Sequence, residues 1–378
     1  MFRLIIRVVL AVVLSRLGSA VVLAADPPTF SSVGMSRSFA SVPDVHEYLF
    51  DARRGRSSFD PIALHRVTQS ITRSANQPVV LYLPGTWMNG TVAPDDPRYS
   101  LALFLAAHGI DCWTLDYRTH FIPPEAAQSD LGELKSWTNE LFESDIETAS
   151  QFVIATTGRR RIVVAGFSRG VSFAYQYAAD HPQTVARLLL FDGYIGHGET
   201  GAVASGTYAE DVAGKHLTWD NRAALLRLVI ANPHAPAPIA KYKDAADNLN
   251  HVVYDSAGFG GKGGLANPFG GFSDPSILAR VLITYDRYWP ITQDYEDSFT
   301  PVKMAALQRS QIPVLAFSST NIAPDWSDRV ARSAAVTDSP KTRVIKLDGW
   351  GHLDVICGRQ AEREVFAPAL EWIKQPRE

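Results

Sequence analysis

Ser168 stands between two glycines in Gly166-Phe167-Ser168-Arg169-Gly170, after the apolar run Ile162-Val163-Val164-Ala165 and before a helix-compatible stretch from Val171 to Asp180. A strand-to-helix turn this tight strains its central residue and leaves room only for glycine two positions to either side. The serine hydroxyl is thereby pushed clear of the main chain. A hydroxyl is a weak nucleophile at neutral pH, so it needs a base within hydrogen-bond reach and a carboxylate that orients the base. These residue types in this order point to acyl transfer through a covalent intermediate.

Ten histidines compete for the role of base. His352 is favoured, because it lies in the Gly-bearing loop Asp348 to Asp354 just past the final apolar run, Thr342 to Leu347, where a side chain can hang over strand ends. His197, in Gly196-His197-Gly198, is second; His108, His120 and His181 read as structural or surface residues. For the acid, the chain order Ser, acid, His leaves Asp325 first, Asp192 as the alternative and Asp328 behind them. Asp192 closes the run Leu188 to Phe191, whereas Asp325 lies several residues past Val314 to Phe317. A tetrahedral intermediate also needs N–H donors for its oxyanion. The amide of Arg169 supplies one, and the turn Leu83-Pro84-Gly85-Thr86-Trp87 offers Thr86, or else Trp87, for the other. The Arg118 and Arg169 side chains suit ion pairs within the scaffold better than a substrate carboxylate.

Strands must carry these residues. Val79 to Leu83, Ile110 to Leu115, Ile162 to Ala165, Val185 to Phe191 and Val314 to Phe317 are apolar runs, and helix-like stretches at Tyr99 to His108 and Leu141 to Thr156 separate the first three. Strands alternating with helices predict a mostly parallel sheet with flanking helices, an α/β fold. Before them, Pro27 to Met35 reads as a flexible lead-in and Phe39 to Thr72 as extended chain. Between Asp192 and Ile312 the pattern changes. Helix signals at Thr218 to Ala231, Ser273-Asp274-Pro275 into Ile277 to Tyr288, and Thr300-Pro301 into Val302 to Gln308 surround a glycine-rich stretch, Gly258 to Gly271. The predicted organisation is a catalytic domain from 26–194 and 311–378, with a largely helical cap from 195–310 inserted over the strand ends. A closing helix is predicted from Ala361 to Lys374.

The 378 residues are 46% hydrophobic and 20% charged, enough for one large globular domain with an insertion. A net charge of −3, with no basic cluster interleaved with aromatics, sets nucleic acid aside. No H-E-x-x-H, paired cysteines or Asp-rich loop suggests a metal, and no cofactor is implied. Residues 1–25 have the order of a secretory signal: Arg3, then a mostly apolar run, then Ala24-Ala25. Export to the periplasm or exterior is predicted; the alternative is a membrane anchor through residues 4–25, against which Arg7 and Arg16 weigh. Cys112 and Cys357 read as buried thiols.

With its turn at Gly85, elbow at Ser168, insertion after Asp192 and Gly351-His352 past the last strand, the chain resembles the α/β-hydrolase fold superfamily. Locally, Gly109 to Arg118, Trp137 to Asp145 and Gly351 to Asp354 are similar to the acid lipase and esterase group. Where that group carries Asn-Asp-Trp, this chain has Asn321-Ile322 and only later Asp325-Trp326. The resemblance implies a serine hydrolase acting on a small ester or lipid, with transient contact at a lipid interface, and an apolar pocket to which Tyr285, Tyr288, Trp289 and Phe299 are suited, though they suit the cap's own core equally. The alternatives are an acyltransferase with the same triad and a non-catalytic binding protein of this fold; a dehalogenase would place Asp where Ser168 stands. The oligomeric state is not legible.

Overall fold

Side chains along the central strands alternate between two buried layers. Val80, Val163, Ala165, Leu189, Leu315 and Phe317 face one layer, and Leu81, Val164, Leu188, Leu190, Val314 and Ala316 face the other. Burial on both sides is why these strands read as continuous apolar runs rather than as a polar alternation. In the computed structural model, which describes residues 29–52, 59–69, 77–127, 129–196, 208–213, 217–251, 272–295 and 299–376, they form the centre of a nine-stranded sheet. The predicted leader at 1–25, His197 and the glycine-rich stretch Gly258 to Gly271 lie outside the described residues.

The strands are β1 (Ser31–Ser38), β2 (His46–Ala52), β3 (Ile62–Thr68), β4 (Val79–Leu83), β5 (Asp111–Asp116), β6 (Ile162–Phe167), β7 (Val185–Phe191), β8 (Ala209–Asp211), β9 (Tyr288–Pro290), β10 (Val314–Ser319) and β11 (Arg343–Leu347). The large sheet runs β1-β2-β3-β5-β4-β6-β7-β10-β11, and β8 pairs with β9 in a small ribbon. From β5 to β11 all neighbours are parallel, as predicted. The first three strands join antiparallel, β3 against β5 and β1 at the edge. The lead-in thus corrects to a strand from Ser31. Val33 and Met35 are exposed there, so no apolar alternation marks it.

The helices are α1 (Leu101–Ala107), α2 (Asn139–Thr157), α3 (Arg169–Asp180), α4 (Trp219–Ala231), α5 (Ala245–Leu249), α6 (Pro275–Leu282), α7 (Thr292–Tyr295), α8 (Pro301–Ser310), α9 (Trp326–Ala335), α10 (Asp354–Cys357) and α11 (Ala367–Lys374). Thr138, Thr218, Asp274 and Thr300 cap α2, α4, α6 and α8 by accepting a backbone N–H, with Pro275 and Pro301 opening the latter two. Between β7 and β10, α4 and α6 pack together, while α8 packs on α3. Lys303 fixes α8 there, with Nζ 2.6 Å from Glu143 on α2 and 3.0 Å from Asp180 on α3. The last helix of the predicted cap therefore lies in the layer flanking the sheet. Cys112 and Cys357 are both buried and free.

Candidate active site

Ser168 leaves β6 with φ 53° and ψ −119° and leads directly into α3. A non-glycine residue in this region is strained and persists only where its surroundings fix it. They do: a Cβ on Gly170 would overlap the Leu83 carbonyl oxygen, and one on Gly166 the Gly170 carbonyl. The backbone of α3 thus rests against the end of β4, and the serine N–H donates to the Phe191 carbonyl at 3.0 Å.

His352 follows β11 and is 4% exposed. Its ring stacks on Phe167, centroids 4.6 Å apart, and meets Trp326 edge-on at 5.9 Å. Its loop is held by buried Asp354, which accepts from the Gly351 N–H at 2.8 Å and from the Ser273 hydroxyl. Burial pushes the Asp354 carboxyl up to about 6, offset in part by those two donors. The sequence placed Asp354 beside the histidine without revealing this anchoring role.

The carboxylate at His352 is Asp192. Its Oδ2 lies 2.6 Å from His352 Nδ1, and Asp192 is fully buried at the end of β7 with φ 51°. Three further donors reach it: the Ser319 N–H at 2.6 Å, the Ser319 hydroxyl at 2.8 Å and Trp326 Nε1 at 2.9 Å. Those donors leave the buried carboxylate fully hydrogen-bonded. Asp325, the first choice from sequence, is not brought to the histidine. It opens α9 at the surface and pairs with Arg329, Nε to Oδ2 2.8 Å. The next residue on the helix, Trp326, turns inward instead. Asp328 is also exposed on α9.

Ser168, His352, Thr86, Trp87, Met88 and Tyr285 line one cavity of about 150 Å³. The turn after β4 abuts the elbow, since a Cβ on Gly85 would sit 3.0 Å from that of Ser168. Within the turn the Met88 N–H donates to the Gly85 carbonyl at 3.0 Å, and Trp87 has φ 60°. Thr86 is thus beside Ser168, as is Arg169, whose guanidinium donates to the Gln293 carbonyl at 3.4 Å. Arg118 is an internal ion-pairing residue, bidentate to Asp145 at 2.8 Å and 3.3 Å from Asp60. Of the four aromatics suited to a pocket, only Tyr285 lines this cavity. Tyr288, Trp289 and Phe299 belong to the core, where Trp289 meets Tyr117 and Phe142. Met88 also lines a second, mostly apolar cavity of about 80 Å³ with Val80, Tyr82, Leu101, Val281 and Ile356. Among the described residues, no group of three His, Cys, Asp or Glu side chains is arranged to hold a metal ion, and no helix is long and apolar enough to cross a membrane.

The arrangement provides a serine on a strained turn, a buried imidazole with its Nδ1 beside a carboxylate, and a backbone turn against the serine. A crystal structure from Sulfolobus solfataricus, described as a "putative lipase", is similar over 92% of this chain and 99% of its own, with TM-score 0.74 and 26% identity. An α/β-hydrolase fold protein from Nakamurella multipartita is similar over 91% of this chain and 99% of its own, with TM-score 0.50 and 16% identity. No protein-family model and no curated protein matches the chain.

Proposed function

The chain belongs to the α/β-hydrolase superfamily, and from that premise we propose that it is a serine hydrolase cleaving carboxylic esters through an acyl-enzyme on Ser168. The observation that carries this reading is the 2.6 Å contact between His352 Nδ1 and buried Asp192, in a chain whose strained Ser168 shares the histidine's cavity. With Nδ1–H directed to Asp192, His352 Nε2 carries the lone pair and is the base. Ser168 Oγ attacks the ester carbonyl carbon as its proton passes to Nε2, and the amides of Arg169 and Thr86 receive the oxyanion. The C–O bond to the alcohol then breaks, with the proton returned from Nε2 to the departing oxygen. Water, activated by the same nitrogen, releases the acid. Asp192 remains a carboxylate throughout.

The apolar cavity beyond Met88 supports an ester with an apolar acyl group. Export, proposed from residues 1–25, is compatible with either an esterase or a lipase. The test is hydrolysis of nitrophenyl esters of increasing acyl length by wild type and Ser168→Ala. The variant should retain its Tm and lose roughly four to six orders of magnitude in kcat. Near wild-type hydrolysis by Ser168→Ala contradicts the reading.

A further inference from the structure

The turn between β4 and α1 carries a bulky residue, Trp87, at φ 60°, where side chains are rarely accommodated without outside support. That support comes largely from one residue of the insertion, Asp286, which is buried between α6 and β9. Its N–H donates to the Trp87 carbonyl at 2.7 Å. Its Oδ1 accepts from Asn89 Nδ2 at 2.8 Å and lies 2.8 Å from His120 Nδ1. Asn89 also donates to the Thr284 carbonyl, and the Gly90 N–H to Asp116 at 2.6 Å. The mechanism above uses none of these side chains. Directly or through Asp286, they hold Trp87, Asn89 and Gly90, in the turn that follows Thr86.

We propose that Asp286 and His120 are positioning residues that set the oxyanion turn against Ser168, so that the insertion tunes turnover as well as walling the cavity. The inference rests on the hydrolase reading above. Tyr285, adjacent in sequence, lines the Ser168 cavity, so one segment positions both a wall and the turn. The groups facing His120 are Asp286 from the insertion at 2.8 Å, Asp116 from β5 at 3.9 Å, the like-charged His65 from β3 and, edge-on, the Phe121 ring. Burial alone would lower the His120 pKa, but the two carboxylates overcome it and hold the ring protonated up to about 9. Burial also raises the Asp286 carboxyl, and its bond to His120 opposes this. Loss of the His120 proton leaves Asp116 and Asp286 buried together without the cation between them, and the turn loosens.

The experiment compares wild type, Asp286→Ala, Asp286→Asn and His120→Gln in ester hydrolysis from pH 6 to 10, per active site titrated with a phosphonate. Asp286→Ala should lower kcat by roughly 10–100-fold with KM changed less than about threefold, since a misplaced oxyanion donor acts on the transition state. Asp286→Asn keeps an acceptor for Asn89 and should restore most of kcat. The alkaline limb of its kcat profile should move from near 9 to lower pH, because His120 has lost its nearest anion. His120→Gln should lack that limb. If Asp286→Ala does not fold, the other two variants decide. Unchanged kcat per titrated site in all variants, with only Tm lowered, overturns the inference and leaves the hydrolase reading standing. Absence of any ester turnover by wild type removes both.

Discussion

Asp192 reaches His352 because the chain leaves β7 in the left-handed region, which turns the carboxylate across the sheet toward β10 and β11 instead of along the strand. Ser319, at the end of β10, donates twice to Asp192. Asp192→Asn should therefore lower kcat by roughly 10³–10⁴-fold, because an amide does not hold the imidazole in the tautomer that leaves Nε2 free. Asp325→Asn, at the surface on Arg329, should change kcat by less than about threefold. Equal losses in the two variants on a nitrophenyl ester would contradict this assignment. Ser168 and His352 were legible in the sequence as candidates because each has a local signature, glycines around Ser168 and a glycine loop past the last strand for His352. The acid had none. Both candidates follow apolar strands, and only the left-handed turn at one and the helical start at the other separate them.

The elements were legible where one physical signal dominates. Apolar runs marked β4 to β7 and β10 because both faces are buried, and Thr-Pro and Asp-Pro pairs marked α6 and α8. Helix α9 escaped because its buried face is Val330, Ser333 and Ala334, too small to form an apolar stripe, and its N-cap Asp325 makes no side-chain cap bond. Edge strand β1 escaped because its side chains are mostly exposed, and what fixes it is backbone pairing and polar side-chain contacts with β2. The elbow depends on α3 and β4 touching at the main chain. Gly170→Ala should thus cost about 1–3 kcal/mol or more by overpacking, seen as a lowered denaturant midpoint. Unchanged stability would mean that the two elements do not meet this closely.

At the scale of the molecule, the antiparallel edge, the parallel centre and the insertion are tied by a chain of charges, three buried carboxylates bridged by two histidines: Glu47, His65, Asp116, His120 and Asp286. His65 lies 2.8 Å from Glu47 through Nδ1 and 2.8 Å from Asp116 through Nε2, which needs both ring protons. Burial opposes that charge, but the two carboxylates raise the His65 pKa to about 10, against about 6.5 in an unfolded chain. The folded state therefore binds more protons between these values. The contribution is complete below about pH 6.5 and is lost as pH rises through 10. Thermal scans from pH 7 to 10 should show Tm falling, and the slope should flatten in His65→Gln even if that variant is less stable throughout. No periodicity announces such a chain, because its members come from four separate segments and meet only on folding. The proposed function requires that Ser168 be an activated nucleophile. Intact-mass analysis after treatment of the native protein with a fluorophosphonate tests it most directly. One adduct per chain, mapped to the peptide bearing Ser168 and absent after heat denaturation, is the predicted result. Ester hydrolysis by a protein that takes no adduct, or an adduct on another residue, would contradict it.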